Sequence, residues 1–237
     1  MKAQEIIHKE TQPQLQDVIA RLGSFHLFVS YLGAIGNIMS GSGINELLAT
    51  IYAENIIKMM SGHAYSRAAR AHSLTNQALS RFILELVNFT YEEKDVLEIL
   101  LSDAQKSTVS LVDNNYESIS VKDKFTKSLQ NMQLRRPTAQ LWVLYYKMVT
   151  LVKQYIEAER RGGFQLHVDT VKRMILFFHA AGYRFDAKCA YLYTIQEMAC
   201  LKNRMDPLEY LKFNTEGFFT IRRTDEFWSG IWTNYGD

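Results

Sequence analysis

The sequence predicts a mainly α fold: one domain of about nine helices over residues 1–237, with two or three short strands near 17–23 and 217–223. Three observations carry this. Apolar residues recur every three to four positions through several long stretches, the pattern of helices that bury one face. Only 3 prolines and 12 glycines interrupt 237 residues, which favours long helices over many strands. A composition of 47% hydrophobic and 22% charged residues is that of a folded chain able to bury a sizeable core.

In order along the chain, residues 2–10 read as a short helix ended by Gln12-Pro13. DVIARLG, 17–23, reads as a strand or as the first turn of the next helix, and Val18-Ile19 with Gly23 tilt it to the strand. Ser24 to Met39 is nearly all apolar and predicts a helix buried inside the domain. It is short for a membrane span, which takes about 20 residues. Gly33 and Gly36 in it would let another backbone approach closely. Gly41-Ser42-Gly43 stops it, and Ile44 to Tyr52 and Asn55 to Met60 follow as short amphipathic helices. After Ser61-Gly62, His63 to Val87 is a long helix, and Tyr91 to Val112 another, with Glu92 and Glu93 where the helix dipole favours them. The polar connection 113–118 is the best boundary between helical layers.

Lys122 to Leu134 ends at Arg135-Arg136-Pro137, because a residue before proline avoids the α region. Pro137 to Arg161 is the longest helix, closed by Gly162-Gly163. Helices near 165–181 and 185–203 follow, joined by a short turn that predicts antiparallel neighbours. LEYLKF adds a turn or two, and GFFTIRR, 217–223, reads as a strand.

Few side chains form a chemical motif. His63, Arg67 and Arg70 fall at i, i+4 and i+7 on one helix face, with His72 on the other side. Beside a helix N-terminus they would suit an anion or a nucleic-acid backbone. The competing reading is a polar stripe paired with Glu46 or Glu54. Arg222 and Arg223, with Trp228 and Trp232 beyond, would make a basic–aromatic patch for a nucleic-acid strand, or aromatics packed to close the domain. His26 is expected to be a hydrogen-bonded core histidine rather than a ligand or base. His167 and Asp169 are too close along a helix to share a metal, and His179 suits a helix C-terminus. There is no C-x-x-C, H-E-x-x-H, G-x-S-x-G or P-loop, so no catalytic residue, metal or cofactor is assigned.

Charge is weakly informative. The formal net charge is +2; residues 1–130 carry 12 Lys/Arg against 14 Asp/Glu, and 131–237 carry 15 against 11. Cys189 and Cys200 on one helix would stand about 16 Å apart, too far to bridge, and read as reduced thiols. With no apolar core in MKAQEIIHKETQPQLQ and no membrane span, an intracellular protein, nuclear or cytoplasmic, is expected.

Four blocks, RLGSFHLFVSYLGAIGNIMSGSG (21–43), SGHAYSRAARAH (61–72), KMVTLVKQYIEAER (147–160) and MDPLEYLKF with FFTIRRTDEFWSGIW (205–232), resemble one uncharacterised family of long proteins. That family is associated with arthropod and other animal genomes, often in many copies. The resemblance implies a transposon-derived origin, an RNase H-like core carrying a helical insertion, and a chain that is a fragment of something longer. An integrase-type core wants a carboxylate after its strand, and here stand Gly23-Ser24, which counts against metal-dependent strand transfer. The expected function is a non-catalytic fragment of a transposon-derived protein. The alternative is a helical module that contacts nucleic acid or protein, with nucleic acid or another transposon-encoded copy as partner. A Mg²⁺-dependent nuclease or transposase stands third.

Overall fold

Most of the helices expected between residues 24 and 203 form, several of them starting just after a glycine, at a proline or at a polar cap, and the one expected from Lys122 starts at Tyr116, inside the connection expected over 113–118. A computed structural model of the chain describes residues 6, 21–52, 56–106, 116–217 and 219. Its helices are α1 (Ser24–Ile38), α2 (Ile44–Tyr52), α3 (Ile56–Met60), α4 (Tyr65–Glu85), α5 (Tyr91–Lys106) and α6 (Tyr116–Gln133). They continue as α7 (Pro137–Arg161), α8 (Phe164–Ala180), α9 (Arg184–Tyr191), α10 (Met198–Arg204) and α11 (Pro207–Thr215). A π-helical turn, Leu192–Glu197, joins α9 to α10, so the single helix expected over 185–203 carries a widened turn inside it. α11 starts where the Asp206 carboxylate accepts from the amides of Leu208 and Glu209 and Pro207 takes the first position.

The chain divides into two compact units, Met1–Ala71 with Met148–Asp237, and His72–Lys147, and the division falls within α4 and α7. In the first unit, α1 packs on α3 and α8. Leu27, Tyr31, Leu32, Ala34 and Ile35 are buried, and Tyr31 meets Phe178 edge to face at 5.5 Å. Gly36 makes the α1–α3 contact, since a Cβ there would overlap the Met60 carbonyl. The close backbone approach expected of these glycines is therefore present. Asn37 Nδ2 closes the other flank by donating to the Ala181 carbonyl at 2.7 Å.

In the second unit α5 packs on α6. Ile83, Met132 and Val143 form an apolar core with Phe125, Leu129 and Tyr146. α5 is opened by a capping box. The Thr90 hydroxyl accepts from the Glu93 amide, and the Glu93 carboxylate accepts from the Thr90 amide at 2.8 Å. That carboxylate also takes the Lys124 ammonium at 2.6 Å and the Ser120 hydroxyl at 2.7 Å. Glu93 is only 6% exposed, yet its cover is these partners rather than depth in the core. The Lys124 hydrogen bond first, then those from Ser120 and Thr90, hold its pKa down at about 2. A depressed carboxyl stabilises the fold above its usual value near 4.5 and loses that contribution as pH falls towards about 2. Glu93→Gln should therefore lower the urea midpoint at pH 7 and converge on the wild type near pH 2. An equal gap at both pH values would mean that the ionised carboxylate is not what stabilises α5.

Three expectations are corrected. No strand forms among the described residues: Arg21–Gly23 lead into α1 without β pairing, and Gly217 sits at φ +76, outside the extended region. They supply no sheet for an RNase H-like core. The N-terminal helix over 2–10 (apart from helical Ile6), residues 17–20, 218 and 220–223 of the two strand segments, and residues 107–115 lie outside the described residues. His26 is exposed rather than in the core. The long helix begins at Tyr65, so His63 belongs to the turn before it.

Candidate functional site

Residues far apart in sequence meet at the joint of α7 and α8. Arg21 Nη2 donates to both oxygens of Glu159, at 2.8 and 2.7 Å, one nitrogen shared by the carboxylate in a charge-assisted pair. It also donates to the Phe219 carbonyl at 3.1 Å, and its guanidinium lies 4.0 Å from the Phe219 ring centre. Residues 21 and 219 thus come together through side-chain contact and not as paired strands.

Glu159 faces His167, which is 1% exposed, with Nδ1 at 2.6 Å from Oε1. The two atoms are within contact distance, although the N–H direction leaves Nδ1 without a straight hydrogen bond. On the other side of the ring, Nε2 and the Tyr193 hydroxyl are 3.1 Å apart. Burial alone would raise the Glu159 pKa, but His167, Arg21 and Ser24 outweigh it and hold the carboxyl below its usual range. Burial pushes the Tyr193 and Tyr155 hydroxyls up, and Tyr155 donates to the Ser24 carbonyl at 3.1 Å.

A His–Glu–Tyr set can relay protons in principle. Here the Phe219 ring packs on the imidazole at 4.7 Å and Phe164 and Phe213 pack on Phe219, so the set is closed over. Its chemistry is that of a clamp. The grooves lined by Asp95, Glu98 and Ser102, and by Leu97, Val121 and Phe125, belong to the other unit.

The sequence-predicted face lies elsewhere in the first unit. His63, Arg67 and Arg70 are all exposed. Ser61 Oγ stands 3.0 Å from His63 Nδ1, and neither arginine pairs with a carboxylate among the described residues. Glu46 is therefore not their partner, and Glu54 lies outside the described residues, as do Arg222 and Arg223.

What the sequence did not reveal is that α1 sets Phe25 against Tyr65 at the start of α4, on the side of that helix away from Arg67 and Arg70. Phe25 and Tyr65 meet edge to face, centroids 4.9 Å apart at 89°, while remaining 55% and 45% exposed. His26 lies beside Phe25, with ring centroids 6.2 Å apart. The contact follows from Gly62, φ +84, which sits so close to the Val29 carbonyl that no Cβ would fit. A countable signal for this face was present in the sequence. Residues 22–45 hold no charged side chain, and 56–71 hold Lys58, Arg67 and Arg70 with no Asp or Glu.

The remaining histidines have separate settings. His72, 1% exposed, lies 2.9 Å from the Tyr145 hydroxyl, and burial lowers its pKa to about 4. His179 is exposed in the last turn of α8, as its place near a helix end predicts. Asp169 accepts from Gln165 and is exposed, while His167 turns inward, so the two do diverge.

A family model described as a domain of unknown function, DUF8702, matches residues 1–235. The chain belongs to this family. No curated protein and no solved structure matches it. Among the described residues of this DUF8702 chain, no group of three or more His, Cys, Asp or Glu side chains is placed to hold a metal ion. No helix among them is long and apolar enough to cross a membrane.

Proposed function

We propose that the chain is a non-catalytic helical module of a longer, transposon-derived protein, and that it binds nucleic acid through the face of His63, Arg67 and Arg70. The origin rests on the four sequence blocks and their resemblance to a multi-copy family. The binding role rests on one observation above others: Arg67 and Arg70 are both exposed and meet no carboxylate among the described residues, in a stretch, 56–71, that carries no Asp or Glu. Cations without acidic neighbours attract a polyanion even when the net charge of the chain is only +2. Non-catalysis is supported by the way the interior polar groups are used, since His167 is held between Glu159 and Tyr193 and packed under Phe219.

A salt titration of binding tests this. The chain should bind nucleic acid at about 50 mM salt, where electrostatic contacts are strongest. Replacing Arg67 and Arg70 by alanine should reduce the slope of log affinity against log salt by about 2, one for each phosphate that is no longer neutralised. An unchanged slope would remove this face from the binding surface, and an absence of binding at about 50 mM salt would end the nucleic-acid reading.

A further inference from the structure

We infer that the Phe219 side chain is a lid over His167, hinged at Gly217 and held shut by Arg21 only while Glu159 carries its charge. Gly217 is fixed by shape. It has φ +76, and its carbonyl lies so close to Gly162, φ +69, that a Cβ on Gly162 would overlap it. Two backbones in such contact have no side chain that can rotate away. Phe219, two positions on, meets side chains instead. Its ring packs on His167 at 4.7 Å and on Phe164 and Phe213 at 5.5 Å each. Arg21 lies over that ring, with the guanidinium 4.0 Å from its centre and Nη1 donating to the Phe219 carbonyl at 3.1 Å.

The hold of Arg21 depends on Glu159. The same guanidinium that binds the lid donates through Nη2 to both Glu159 oxygens, at 2.8 and 2.7 Å. The Arg21 side chain is 34% exposed, so water competes for it, and the carboxylate charge is what outweighs water. Beneath the ring lie groups from three elements: Glu159 from α7, His167 from α8 and Tyr193 from the π-helical turn. Nδ1 of the imidazole is 2.6 Å from the carboxylate, and Nε2 is 3.1 Å from the Tyr193 hydroxyl. Shut, the lid leaves His167 only 1% exposed. Turned away on Gly217, it uncovers an imidazole already set between an acid and a hydroxyl.

Labelling of histidines in the full chain with diethyl pyrocarbonate near neutral pH, read residue by residue by mass spectrometry, tests the lid. Exposed His26 and His179 should label quickly in every protein and report equal reagent, while buried His72 should label slowly and report an intact fold. Arg21→Met and Glu159→Gln should each speed His167 labelling about ten-fold, the scale of one lost charge-assisted hydrogen bond, and Phe219→Ala at least as much. Arg21→Met keeps Glu159 beside His167, so its effect reads loss of cover. In the wild type, urea below the unfolding transition should leave His167 labelling unchanged and speed that of His72, because the first needs a local opening and the second a global one. His167 labelling as slow as in the wild type in both charge variants would mean that the rings alone hold Phe219. Slow labelling in Phe219→Ala would mean that Phe219 is no cover, and either result overturns the inference. So does labelling of His72 and His167 that rises together, in a variant or in urea, because the opening is then unfolding at large.

Discussion

Lowering the pH from 6.5 to 4 should cost the fold about 3 kcal/mol through His72 alone. The imidazole is 1% exposed and burial drives its pKa down from 6.5 to about 4. The unfolded chain therefore takes up a proton in this interval before the folded chain does, and the balance tips towards unfolding. Stability is full above pH 6.5, declines between 6.5 and about 4, and declines no further from this group below that. At about 1.4 kcal/mol per pH unit the interval gives the stated cost. His72→Gln keeps a polar group near the Tyr145 hydroxyl but cannot titrate. It should be less stable than the wild type at pH 7.5 and should lack this part of the acid loss, so the two urea midpoints draw together by pH 4. Parallel midpoint curves for the two proteins across that range would refute the assignment.

His72 also shows what local sequence can and cannot tell. Its place on a helix was legible from the spacing of Ala64, Ala68, Ala71 and Leu74. Its burial depends on Tyr145, 73 positions away, and nothing near either residue announces the pairing. The same holds for Arg21 with Glu159, separated by 138 positions. Helices were readable because their signals are local: Pro137 at a first turn, Gly162-Gly163 at a stop, and glycines in α1 that admit a neighbour. The strand expectation rested on the β propensity of Val18-Ile19 and the FFTIRR run, and propensity is a weak prior. At the described ends of those segments, Arg21 and Phe219 instead make a charge–aromatic contact. His26 was misplaced because α1 is apolar on most sides, so its periodicity does not say which side faces solvent. The approach of residues 60–62 to Gly33 and Gly36 decides that.

That approach leads to the second large effect: Gly62→Ala should destabilise the fold by about 3 kcal/mol. Two costs combine. Gly62 has φ +84, a conformation that costs an L-residue about 1–2 kcal/mol. A Cβ there would also press on the Val29 carbonyl and lie 3.3 Å from the Gly33 amide nitrogen, both backbone atoms that cannot rotate away. Opening the contact between α1 and the turn to admit a methyl costs about 1–3 kcal/mol more. Gly41→Ala separates the two costs, because Gly41 has φ +75 and meets nothing within 4 Å. It should show the conformational part alone, about 1–2 kcal/mol. Urea unfolding of both variants measures the difference directly. Equal losses would mean that α1 and the 60–62 turn are not pressed together as described.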